Sequence, residues 1–197
     1  MSRRADNADW GPLDSRESVP GAGLFAMRLM LASLSMPFFA IIICYLKMRS
    51  EAHGWLPAPA LLWQSTSLII GLSVCAQLSL WLIRAHRDGA AKIAATITLL
   101  LGVAFLVSQL FVWTEIQHQF AADSETLRPY REAFRIVAGL HALHVIGGVL
   151  VQVVVIFQAV RLPYWAHFHP GLHYSAMYWH FLGVTWLALF AMLLASG

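Results

Sequence analysis

The chain has 197 residues, 59% hydrophobic and 12% charged, a balance that a soluble domain of this length has no core large enough to hide. Thirteen Lys and Arg against ten Asp and Glu give a formal charge of +3, but the charges lie between apolar blocks and form no patch suited to nucleic acid. Cys44 and Cys75 fall inside apolar runs without C-x-x-C spacing, which suggests neither a disulfide framework nor a zinc site.

Residues 1–23 are polar, with Asp6, Asp9, Asp14 and Glu17 beside Arg3, Arg4 and Arg16, and read as a disordered tail. Arg3-Arg4 is followed by Ala5-Asp6 and not by an apolar run, so the first span is expected to be retained. A helix rising 1.5 Å per residue needs about 20 apolar residues to cross a hydrocarbon core of about 30 Å. By that measure 24–197 is an all-α, polytopic bundle of five transmembrane helices. The first span, Leu24–Leu46, carries Arg28 one turn inside its start, where the long stem can snorkel, and Pro37 near its middle, where a kink is expected.

The second span, Ala60–Ile83, offers Gln64, Ser67 and Gly71 as a polar and small face. The third, Ile93–Thr114, offers Gly102, Phe105 and Gln109. In lipid, small and polar residues mark the sides of a helix that meet protein. The connection 114–135, with Glu115, Asp123, Glu125 and Glu132, reads as a solvated loop. The fourth span, Ile136–Val160, places His141, His144, Gly148 and Gln152 on one face at spacings of three, four and four. His167, His169 and His173 form an H-x-H-x-x-x-H pattern before the last span and read as interfacial. The fifth span, Tyr174–Leu194, has His173, Ala176, His180 and Gly183 on one stripe, with Trp179 and Trp186 beside it.

Trp10, Trp55, Trp63, Tyr164 and Trp165 stand near expected interfaces, where amphipathic rings are favoured. Arg3, Arg4, Arg16, Arg84, Arg87, Lys92 and Arg161 share the side of the N-terminus, against Lys47, Arg49, Arg128, Arg131 and Arg135 opposite. That bias puts the N-terminus in the cytoplasm and the C-terminus outside.

Histidines from facing helices can hold a b-type heme, and His141, His144 and His180 are the candidates. The favoured reading is that each neutral imidazole donates to a carbonyl or side chain on a neighbouring helix. No G-x-S-x-G or Gly-rich phosphate loop supports nucleophilic or nucleotide chemistry. The only span-associated acid, Glu115, ends the third span, which argues against an ion or proton path.

Gly139-Leu140-His141-Ala142-Leu143-His144-Val145-Ile146-Gly147-Gly148 resembles the G-x-H-x-x-H-V-x-x-G segment of heme-copper oxidase subunit III. Tyr178-Trp179-His180-Phe181 with Trp186, Leu187 and Phe190 resembles that family's Y-W-H-F-x-D-x-x-W-x-x-L-F segment. Gly102, Phe105, Gln109 and Trp113 fit its G-x-x-F-x-x-x-Q-x-x-E-[YW] pattern, and Leu31-Ala32-Ser33 its L-A-S-E. Leu34, Val112 and Gly183 stand where the pattern has membrane acids, so the chain is similar to a divergent, five-helix member. The resemblance implies a subunit without redox centres, docked beside subunit I, and also subunit II, of a respiratory oxidase. Hemes and copper would belong to the partner, and bound phospholipid is expected. Subunits associated with nitric oxide reductases share these motifs. Gly102, Gln109, His141, His144, Gly148, Trp179, His180 and Trp186 are then structural motif positions, with no catalytic, cofactor or metal ligand among them.

Overall fold

The computed structural model describes residues 22–49, 60–121, 128–161 and 170–194. These form α1 (Ala22–Arg49), α2 (Leu61–Arg84), α3 (Asp88–Ala121), α4 (Arg128–Arg161) and α5 (Pro170–Leu194). All five are long and apolar enough to span a membrane, and no strand occurs among the described residues. The chain is an all-α membrane bundle. The expected tail lies outside the described residues except for Ala22 and Gly23, as do Trp10, Trp55, Tyr164, Trp165, His167 and His169.

The helices differ most from expectation between the third and fourth spans. α3 and α4 each run for 34 residues. At 1.5 Å per residue that is about 51 Å, well beyond a hydrocarbon core of about 30 Å. Much of the connection read as a solvated loop is therefore helix, Glu115 and Glu132 included. The Arg135 guanidinium fastens the two extensions, donating 2.9 Å to Glu132 Oε1 and 2.5 Å to Gln117 Oε1 on α3. Hydropathy marks where lipid ends; a helix continues past that point because its own carbonyls still satisfy its amides.

α2 and α3 form a tight hairpin. His86 N–H donates to Ile83 O and Arg87 N–H to Leu82 O, each at 3.0 Å, which closes α2 in the two-bond pattern of a Schellman cap. His86 takes the left-handed position of that cap at φ 57°, a conformation that costs a non-glycine residue about 1–2 kcal/mol. Arg87 O then accepts the Ala91 amide at 2.9 Å and starts α3.

α2 packs on α3 and α5, and α4 bridges α3 and α5. Leu72, Phe105, Val145, Trp179 and Leu182, drawn from all four, are fully buried at its centre. α1 lies against α4 and α5. Only 6% of its spanning window is buried, against 44% for α5. Pro37 sits within one unbroken helix, and the neighbouring Phe38 anchors α1 through contact with Val137 and Leu189.

Candidate functional site

Among the described residues, polar groups within the spans gather at three places, two of them buried, and the first is built around Gln152. Its Nε2 donates 2.9 Å to Ala95 O on α3. Its Oε1 accepts the Ser175 hydroxyl at 2.5 Å and the Trp179 indole N–H at 3.2 Å, both from α5. One carboxamide thus ties three helices. Gly148, one turn earlier on α4, lets Tyr178, Trp179 and Leu182 close in: a Cβ there would stand 3.0, 3.2 and 3.3 Å from them. Gly102 on α3 serves the other side of the same indole, where a Cβ would stand 3.0 Å from Trp179 Cη2. The Tyr178 hydroxyl donates 2.9 Å to His144 O, a second stitch between α4 and α5.

The second place is an aromatic box around His141, which is 2% exposed. Its ring meets the edge of Phe38 at 6.1 Å, that of Phe105 at 6.1 Å, and the Trp186 indole at 5.5 Å. Neither ring nitrogen has a hydrogen-bond partner among the described residues. The expectation that every imidazole donates to a neighbouring helix is therefore corrected here, because the side chains facing this position are rings with no acceptor to offer. His144 departs from it too: Nδ1 donates 2.6 Å to Leu140 O of its own helix while the ring leans on Phe38 at 5.3 Å. Trp186 donates out of the box, 3.1 Å to Thr66 Oγ1 on α2. Gln109 lies a turn beyond Phe105 with its Nε2 buried and without a partner among the described residues.

The third place is a groove between α2 and α5, about 620 Å³ in volume, with His180 in its wall. His180 Nδ1 lies 2.6 Å from Ser73 Oγ and Nε2 lies 3.1 Å from Gln77 Oε1. His180 is thus engaged with α2, while His141 is packed among α1, α3 and α5 side chains. The three candidate heme histidines do not converge on one space. Among the described residues, no group of three His, Cys, Asp or Glu side chains is placed to hold a metal ion.

The face expected for α2 is also corrected. Gln64 and Ser67 are exposed, and the bundle instead receives Ser65 and Thr66, one position round the helix. Hydroxyls bonded to their own helix give weak facing signals: Ser67 Oγ donates 2.7 Å to Gln64 O and needs no neighbour. Ser73, Gln77 and Ser175 were missed. The spacing of four between Ser73 and Gln77, one turn of α2, is the signal that marks them. Of the positions that lack the family's acids, Val112 is buried in the apolar core and Gly183 lines the groove beside His180.

Comparisons with known proteins point to one family. The family model for cytochrome c oxidase subunit III matches residues 60–197, which takes in α2 to α5. The chain is 28% identical over 173 residues to a probable cytochrome c oxidase subunit 3 of Nocardia farcinica, covering 83% of this chain and 82% of that protein. It is 24% identical over 189 residues to a cytochrome c oxidase subunit 3 of Synechocystis, covering 92% and 79%. With that of Pelomedusa subrufa it shares 34% identity over 97 residues, 49% of this chain and 35% of the relative.

Proposed function

The chain belongs to the cytochrome c oxidase subunit III family, and we propose that it acts as a non-redox accessory subunit that keeps a heme-copper catalytic subunit intact during oxygen reduction. The observation carrying this reading is what the family's motif residues do here. Gly102, Gly148 and Trp179 fit into one another, Trp186 bonds α2, and His180 has both ring nitrogens engaged with α2 side chains. These groups hold helices to helices. A side chain so occupied is a poor axial ligand and a poor proton carrier.

On this reading subunit I holds the hemes and copper, subunit II completes the core, and this chain contributes apolar surface and a site for phospholipid. The complex sits in a bacterial cytoplasmic membrane, and the basic-residue bias supports a cytoplasmic N-terminus.

Purification of the tagged chain from its native membranes tests the assignment: a heme-copper subunit is expected at fixed stoichiometry, with every Soret-absorbing chain separable from this one. Deletion should leave the partner's hemes reducible and its first turnovers intact, while oxygen consumption decays sooner. If deletion abolished those first turnovers in a fully assembled catalytic subunit, the chain would be part of the chemistry and the accessory reading would be wrong.

A further inference from the structure

The hydrogen bonds in the α2–α5 groove run in one direction. Gln77 Oε1 only accepts, so His180 Nε2 carries the proton and donates to it. Nδ1 is then the bare nitrogen and accepts from the Ser73 hydroxyl. The chain ends on the Gln77 amide nitrogen, whose two N–H groups have no acceptor among the described residues. Gln77 is exposed, and it stands about 7 Å along the axis from the middle of α2, well inside a hydrocarbon core of about 30 Å. An amide facing acyl chains at that depth is costly, because lipid carries its oxygens at the interface.

Gly183 points the same way. A Cβ there would lie 3.8 Å from Ser73 Oγ and 3.9 Å from Ile69 Cγ1, both ordinary contacts. The packing of this chain therefore does not require glycine at 183, in contrast to Gly102 and Gly148. The missing side chain leaves the groove wall open next to Ser73, on the stretch that Gln77 also lines. The walls are apolar and outward-facing: Val74 is 60% exposed, Trp81 67% and Val184 68%. They run along the helix axes, the shape a rod-like occupant fits.

We propose that this groove seats a transmembrane helix of another chain, held by a hydrogen bond from the Gln77 amide to an oxygen on that helix near mid-membrane. The inference rests on the subunit reading above and names the face through which it operates. A partner helix supplies what the groove lacks at that depth, a hydrogen-bond acceptor on an apolar rod.

The test uses the complex in native membranes with a photoreactive benzoylphenylalanine at Val74 in the groove wall, and at Leu110 on the exposed side of α3 as control. The Val74 adduct is expected to map, by peptide sequencing, to a transmembrane segment of the catalytic subunit with a polar residue within one turn. Gln77→Met keeps the volume and removes the donor. It should lower the Val74 yield about fivefold, the effect of one membrane hydrogen bond, with the Leu110 yield unchanged; the isolated chain also loses the acceptor of His180 Nε2, so its melting should fall by no more than that one bond. Adducts to lipid or quinone alone, or an unchanged yield in Gln77→Met while the catalytic subunit still co-purifies, overturn the groove assignment and leave the subunit reading standing. If no oxidase subunit co-purifies with the unsubstituted chain, the subunit reading falls and takes this inference with it.

Discussion

Gln152 and His141 lie three turns apart on α4, are each 2% exposed, and belong to one stripe of the helix, yet they hold the bundle in opposite ways. Gln152 uses both ends of its carboxamide and ties α3, α4 and α5 together. His141 uses neither nitrogen and contributes only the shape of its ring. A satisfied polar group inside a membrane bundle specifies which helix sits where. An unsatisfied one is tolerated for its packing and pays its desolvation without return.

The contrast breaks most visibly at Gln152. Gln152→Leu strips an acceptor from Ser175 and Trp179 and a donor from Ala95 O, and should cost about 3 kcal/mol, three bonds at about 1 kcal/mol each. Reversible unfolding in mixed micelles measures it, and a loss below about 1 kcal/mol would show that the junction tolerates orphaned groups. Gly148→Val should follow at about 2 kcal/mol by overpacking the same junction against Tyr178 and Trp179, read in the same assay.

His141→Phe is expected to change sign. A phenyl ring keeps the contacts with Phe38, Phe105 and Trp186 while removing two unpartnered nitrogens, so the bundle should gain up to about 1 kcal/mol. Destabilisation by more than about 1 kcal/mol would mean that the imidazole has a bonded partner, and the comparison with Gln152 would collapse.

The smallest effect is expected for Gly183→Asp in the isolated chain, within about 1 kcal/mol of the parent. The new carboxyl group would extend from a Cβ 3.8 Å from Ser73 Oγ, beside the Ser73–His180 bond, and so have a partner. Thermal melting in detergent checks it, and a loss as large as that of Gln152→Leu would place His180 beyond reach of position 183.

The helices themselves were legible. Apolar runs longer than lipid is thick located every span, and His141, Gly148, Trp179 and Trp186 were all recognisable as protein-facing from their spacing and motif context. The loop between α3 and α4 was misread, because the polar residues that end a span do not end a helix. The α2 face was misplaced by one position, because Ser and Thr can bond their own carbonyls and then carry little information about direction. Thr66 and Thr98 do so even when buried, at 2.8 and 2.9 Å to Leu62 O and Ala94 O.

Sequence alone determined the membrane class, the number of spans and the family, since each follows from local composition or from a motif within one or two helices. Tertiary structure decided which polar residues find partners. Gln152 meets Ser175 and Trp179, His180 meets Ser73 and Gln77, and His141 meets only rings, because a hydrogen bond depends on the distance and angle between helices far apart in sequence. Those are fixed by how Gly102 and Gly148 let Trp179 pack, a geometry that no single helix contains.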